Sequence, residues 1–345
     1  MSLKSEIFEQ PDVLAEFLDK EIDHVREIAQ ALRQSDIEFI FLAARGTSDN
    51  AGLYAKYLWG AHNHLPIALA APSLFSIYAA PPSLRKALLV GISQSGQSPD
   101  IVGVLQEGQR QGAPTLAITN DPKSPLAQTA DFVIDIHAGK EHAVAATKTY
   151  TAQLMAIAAL STALSDAEDR WKALKQVPKL VQKTLGLDAL IANEAERYRY
   201  MEHCVVLGRG YNYATAFEWA LKLKELTYVV AEPYSSADFQ HGPVAMVSQG
   251  FPVLAVVPGG AVFNDMIGLI SGLVEEKKTE LVVISDEKKA LSLAHTPLQI
   301  PGDVTEWVSP IVSIVAAQLF TYHLTLAKGF DTETPRGLKK VTKTT

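Results

Sequence analysis

The stretch Ile37-Glu38-Phe39-Ile40-Phe41-Leu42-Ala43-Ala44-Arg45-Gly46 decides the fold. Its aromatic and branched apolar run reads as a strand that stops at Arg45-Gly46 and hands over to a helix-like pattern at 49–61. The same order of strand, Arg-Gly and amphipathic helix returns at 203–207, Arg209-Gly210 and 213–228, an offset of 164 residues. A second strand, 87–92, runs into a loop with Gly96, and its counterpart, 252–257, runs into Gly259-Gly260. A third, 114–119, ends at Asn120-Asp121 as 281–284 ends at Ser285-Asp286, and Ala152-Gln153-Leu154 is echoed by Ala317-Gln318-Leu319. Four correspondences in register within one residue identify a duplicated unit of about 130–165 residues.

Short apolar strands alternating with helices imply βαβ crossovers and a mostly parallel sheet covered on both faces. The expected class is therefore α/β, with two tandem doubly wound parallel-sheet subdomains. The division that follows is a helical segment at 1–34, a first subdomain at 35–165, a charged helical connector at 166–200, a second subdomain at 201–330 and a tail at 331–345.

Composition narrows the partners. The chain has 345 residues, 48% hydrophobic and 20% charged, with a net charge of −7, so it has no basic surplus with which to grip nucleic acid. The single cysteine, Cys204, excludes an internal disulfide and fits a reducing compartment. The first residues show no apolar leader, and the apolar runs 149–164 and 307–327 read as core helices rather than membrane spans. A cytoplasmic protein without a membrane or nucleic-acid partner is expected.

In open parallel sheets, ligands bind beyond the carboxyl ends of the strands. The loops there are Gly46-Thr47-Ser48 and Ser93-Gln94-Ser95-Gly96-Gln97-Ser98-Pro99-Asp100. Ser98 at a helix cap and Pro99 at the first helical position fix where the second helix begins. Hydroxyls around one glycine before a helix N-terminus suit an anion, and a phosphate monoester best, although a polar turn with no ligand has the same composition. Neither Walker spacing nor G-x-G-x-x-G occurs, which argues against a nucleotide cofactor. The matching Pro258-Gly259-Gly260-Ala261-Val262 lacks the hydroxyls, so one phosphate site per chain is expected.

On helix 213–228, at about 100° per residue, Glu218, Lys222 and Glu225 fall within about 60° of one another on an otherwise apolar surface. Such a stripe faces a slot or a pocket, where a carboxylate beside a lysine acts as acid or base, unless it is a plain surface ion pair. His241, in the Gly/Pro loop Gln240-His241-Gly242-Pro243, is a further acid–base candidate with no metal-ligand partner in spacing. The tail Thr334 to Lys343 is basic and reads, by composition alone, as a frayed terminus.

Together these loops, Val144-Ala145-Ala146-Thr147-Lys148, Leu207-Gly208-Arg209-Gly210, Ala220-Leu221-Lys222-Leu223-Lys224-Glu225, His241-Gly242-Pro243 and Pro335-Arg336 resemble the double sugar-isomerase (SIS) domain family. The resemblance runs from Glu6-Ile7 nearly to the end. It includes the isomerase half of glucosamine-6-phosphate synthases and, more closely at Ala71-Pro72-Ser73 and Gln97-Ser98-Pro99-Asp100, the stand-alone glucosamine-6-phosphate deaminases. It implies two flavodoxin-like subdomains and a homodimer with an active site shared between subunits. By the same resemblance Thr47, Ser48, Ser93, Gln94, Ser95 and Ser98 hold the sugar phosphate, and Val144 and Ala146 touch the sugar through backbone groups. Glu225 would shuttle the proton between C1 and C2, with Lys222 and Glu218 as its charged neighbours. His241 from the neighbouring subunit would open the ring, and Lys340 would form an imine with the open-chain sugar, Lys339 and Lys343 being nearby alternatives. Ala146 replaces the usual serine of the synthases, and no amidotransferase domain or N-terminal nucleophilic cysteine is expected.

The activity these implications favour is conversion of glucosamine 6-phosphate to fructose 6-phosphate and ammonia, with no metal and no organic cofactor. The alternatives are a fructosamine-6-phosphate deglycase, the isomerase subunit of a glutamine–fructose-6-phosphate aminotransferase, and, in another class, a non-catalytic sugar-phosphate sensor.

Overall fold

The computed structural model describes residues 2–302 and 304–340. They form two compact units. One comprises Asp12–Glu141, Lys148–Lys175 and the tail from Lys339; the other comprises the N-terminal segment through Pro11, His142–Thr147 and Gln176–Leu338.

The first unit holds the strands β1 (Phe39–Ala43), β2 (Ile67–Leu69), β3 (Ala87–Ser93), β4 (Thr115–Thr119) and β5 (Phe132–Asp135). All pair in parallel, in the order β2-β1-β3-β4-β5. Every residue of β3 and β4 is buried, as expected of strands that carry helices on both faces. Lys148–Leu164 is buried along nearly its whole length and packs against Thr47–Asn63, where Trp59 Nε1 donates to the Ile157 carbonyl at 3.0 Å.

The second unit repeats the plan with β6 (His203–Gly208), β7 (Val230–Ser235), β8 (Pro252–Val256), β9 (Glu280–Ser285) and β10 (Thr296–Gln299), in the order β10-β9-β8-β6-β7. Numbered within its own unit, each sheet therefore runs 2-1-3-4-5. Segment Glu306–Ala327 is long and apolar enough to cross a membrane, but 83% of its apolar window is buried in the fold. Phe320 meets the Trp219 ring edge-on at 5.6 Å and the Tyr198 ring at 5.4 Å, so its composition is that of a core helix.

The strands legible in the sequence are β1, β3 and β4 and their counterparts β6, β8 and β9. The four missed, β2, β5, β7 and β10, are the four sheet edges. They are only partly buried, and β7 and β10 carry Pro233 and Pro297, which edge strands tolerate and central ones do not. The duplication also reaches an ion pair. Arg45 Nε meets Asp100 Oδ2 at 2.9 Å and Arg209 Nη1 meets Asp265 Oδ2 at 2.7 Å, each tying the loop after a first strand to the first turn of a following helix.

Candidate active site

The loops expected to hold a phosphate lie in the first unit. Strands β1 and β3 are neighbours whose connections leave in opposite directions, which places a crevice at their carboxyl ends. Two helices start there. Gly46 is the N-cap of Thr47–Asn63, and Ser98 is the N-cap of Pro99–Arg110 with Pro99 at its first turn. Neither N-cap residue makes a side-chain cap, and each first turn carries an acid, Asp49 and Asp100, with Asp100 Oδ1 accepting the Ile101 N–H at 3.0 Å.

The loop between β3 and its helix is shaped by its own hydroxyls. Ser93 Oγ accepts the Gly96 N–H at 3.1 Å, and Ser95 Oγ accepts the Gln97 N–H at 3.3 Å. The Gln94 carbonyl takes the Asn120 N–H and the Gly96 carbonyl takes that of Leu126, both at 3.1 Å. Gly96 has φ +61°, and a Cβ there would stand 2.1 Å from Ser124 Oγ, so only glycine closes this turn. Across the crevice Ser48 Oγ accepts from Gln153 Nε2 at 3.0 Å, which orients its hydroxyl. Thr47, Gln94, Ser95 and Ser98 are half-buried beside it. Arg45, half-exposed, adds a cation that the buried Asp100 carboxylate holds in place.

The second unit has filled the equivalent ground itself. The Gly259 N–H donates to Asp286 Oδ1 at 2.8 Å and the Ala261 N–H to Glu306 Oε2 at 2.9 Å. Its own carboxylates take backbone donors where the first unit presents hydroxyls.

The titratable cluster lies in the second unit. Regular α-helix covers Tyr213–Lys222, and Leu223–Thr227 then widens to a π-helix closed by Tyr228 at φ +58°. This corrects the reading of one regular helix over 213–228. Angular spacing at 100° per residue fails beyond Lys222, because each π turn takes more residues; such turns recur at functional sites. The charged residues still meet. Lys222 Nζ lies 2.5 Å from Glu225 Oε2 and 3.4 Å from Glu218 Oε1.

Side-chain exposure is graded along the cluster: 0% for Glu218, 2% for Lys222 and 22% for Glu225. It is not a surface pair. Burial works to strip the Lys222 proton, but the Glu218 and Glu225 carboxylates outweigh it and raise its pKa, so Lys222 is a permanent cation. Of the three groups, Glu225 is the one a solute can reach.

In segment 142–147 burial alternates. Ala143, Ala145 and Thr147 are buried, while Val144 and Ala146 are partly exposed. His241 is exposed at the end of the short helix Ser236–Gln240. Lys340, half-buried, donates to Glu141 Oε2 at 2.6 Å, and the fully buried Glu141 also accepts from the Thr149 N–H and hydroxyl at 3.2 and 2.8 Å. Lys339 is exposed and Lys343 lies outside the described residues. The sequence reading missed Glu141; an acidic residue in a loop with no periodic neighbour carries no signal of what it will pair with. Cys204 is buried, and burial pushes its thiol pKa up, away from nucleophilic chemistry.

The SIS domain family model matches residues 33–163 and 199–328. The glutamine–fructose-6-phosphate aminotransferase [isomerizing] of Aquifex aeolicus (strain VF5) is 34% identical over 341 residues, 97% of this chain and 56% of that protein. The chain thus spans little more than half the length of the curated relatives it matches. Among solved structures, the C-terminal domain of glucosamine-fructose-6-phosphate aminotransferase from Francisella tularensis superimposes with a TM-score of 0.87 at 29% identity, over 96% of this chain and 98% of that one. Glucosamine-6-phosphate deaminase from Thermotoga maritima gives 0.78 at 18% identity over 100% of both chains, a likeness of fold alone. The chain belongs to the SIS domain family and carries two copies of the domain in tandem.

Proposed function

We propose that this chain is an aldose–ketose isomerase of hexose 6-phosphates that converts glucosamine 6-phosphate and water to fructose 6-phosphate and ammonia, reversibly. The observation that carries the proposal is the graded cluster in which buried Lys222 and Glu218 leave Glu225 as the accessible carboxylate. Thr47, Ser48, Ser93, Gln94, Ser95 and Ser98 hold the phosphate, and the backbone at Val144 and Ala146 meets the sugar. His241, from the second subunit of a homodimer, assists ring opening. Glu225 then takes the proton from C2 of the open-chain amino aldose and returns it to C1. The product is a ketose imine, which water hydrolyses to the ketose and ammonia. Lys340, once released by Glu141, forms an imine with the open-chain sugar, the carbonyl oxygen leaving as water. The anchor binds ground and transition states alike, while proton transfer by Glu225 supplies about 10²–10⁴-fold in rate.

A second reading, the isomerase portion of a glutamine-dependent aminotransferase, is favoured by the 34% identity to such a protein across 97% of this chain. Ammonia release from glucosamine 6-phosphate, measured beside a panel of amino-acid-conjugated fructosamine 6-phosphates, tests the proposal. Release from the amino sugar supports it. Release of the free amino acid from the conjugates, without ammonia from glucosamine 6-phosphate, replaces it with a deglycase.

A further inference from the structure

We propose that Glu6 is a positioning residue that pins the sugar-facing segment 142–147, a role that rests on the function proposed above. Glu6 sits on the short helix Leu3–Phe8 and is fully buried. A buried carboxylate is costly unless hydrogen-bonded, and this one accepts from consecutive backbone N–H groups, that of His142 and that of Ala143 at 3.1 Å. Two adjacent donors converging on one carboxylate fix the direction of the chain as well as its position.

The far end of the segment is also held. Gln318 Nε2 donates to the Thr147 carbonyl at 3.4 Å, while Gln318 Oε1 accepts from Gln10 Nε2 at 2.9 Å. Gln10 Nε2 also reaches, at 2.8 Å, the carbonyl of Ile7, the residue next to Glu6. Gln10 and Gln318 are 0% and 3% exposed. Between the two pins the segment is neither helix nor strand, so no ladder or helical repeat sets its backbone. Its small side chains offer little packing either. The side-chain pins therefore decide which groups at Val144 and Ala146 face outward. Glu6 touches no substrate. It acts by holding what does.

The test compares binding of fructose 6-phosphate and of inorganic phosphate to the whole chain, as wild type and as Glu6→Gln, by calorimetry, with amide exchange of 142–147 followed in parallel. Glutamine keeps the size of the side chain but turns one acceptor into a donor that faces an N–H. The expected result is a loss of about ten-fold in affinity for the sugar phosphate with inorganic phosphate affinity kept within about two-fold, and faster exchange at 142–147. Unchanged sugar affinity in a folded Glu6→Gln protein, or equal loss for both ligands, overturns the proposal. Should Glu6→Gln fail to fold, Gln318→Leu carries the same test at the other pin, with about three-fold selective loss expected and unchanged sugar binding contradicting it. If the wild type binds phosphate but not fructose 6-phosphate, the substrate reading falls; exchange at 142–147 without ligand then decides the pin, faster exchange in Glu6→Gln supporting it and unchanged exchange refuting it.

Discussion

Lys222 donates to Glu225 across 2.5 Å from a site where the lysine is buried and the glutamate is not. The contact orients the one carboxylate of the cluster that a solute can approach. Glu218, 3.4 Å from the same ammonium and fully buried, keeps Lys222 charged and thereby fixes the charge that Glu225 feels. One ammonium between two carboxylates leaves a net negative charge, which suits a group that must accept a proton from carbon and give it back.

Replacing Glu225 by glutamine keeps the shape and the contact to Lys222 while removing the base. Turnover should fall by about 10²–10⁴-fold, with affinity for the sugar phosphate within a few-fold of wild type. Steady-state kinetics beside calorimetric binding checks both halves.

Replacing Lys222 by methionine removes the cation from beside a buried Glu218. Loss of one partner of a buried pair costs about 3–5 kcal/mol, readable as a lowered denaturation midpoint in urea. Adding Glu218→Gln to Lys222→Met should restore much of that stability, because the charge left behind is gone, without restoring activity. A double variant no more stable than the single one would mean that the cost lies in packing.

Two glycines at positive φ should behave differently. At Gly96 an alanine Cβ would lie 2.1 Å from Ser124 Oγ and 2.4 Å from its Cβ, so Gly96→Ala must move the loop and should weaken phosphate binding at least about ten-fold. At Gly46, φ +53° and ψ −127°, nothing lies within 4 Å of an added Cβ, so Gly46→Ala meets only the penalty of a sparsely populated backbone conformation, about 1–3 kcal/mol. Binding of inorganic phosphate to each variant separates the two costs.

His62, near the end of the helix Thr47–Asn63, supplies a pH dependence. Burial, reinforced by the Arg170 charge, pulls its pKa down to about 4 from the ordinary 6.5. The folded protein thus holds His62 neutral while the unfolded chain protonates it first. This contribution to stability is complete above about pH 6.5 and is lost as pH falls toward 4. The urea midpoint should drop between pH 7 and pH 5, and His62→Gln should reduce that drop. Identical drops in both proteins would exclude His62 as a source of the acid sensitivity.

What the sequence made legible, and what it hid, follow from burial. Central strands such as Ala87–Ser93 are apolar at consecutive positions because both faces are covered, and that signal survives without tertiary context. Edge strands such as Ile67–Leu69 and Thr296–Gln299 are short and half-wet, so composition does not separate them from loops. The grouping of Glu218, Lys222 and Glu225 could be read from helical spacing, but the π turn that carries Glu225 could not. A widened turn is fixed by what packs around it, and its residues, Leu223 to Thr227, suit an ordinary helix equally well. Ser98 at a cap before Pro99 was legible because the chemistry is local. The partners of Lys340 and Glu6, Glu141 and the His142 and Ala143 amides, lie 136 to 199 residues away in the chain, where spacing carries no information.

The central claim is that the Glu225 carboxylate moves a proton on the first two carbons of a hexose 6-phosphate. Incubation of the wild-type chain with fructose 6-phosphate in heavy water, followed by proton magnetic resonance at C1, measures that step without requiring nitrogen transfer. The account predicts loss of the C1 proton signal with wild type and its retention with Glu225→Gln. A C1 signal that persists with wild type, or one that disappears equally fast with the variant, would contradict it.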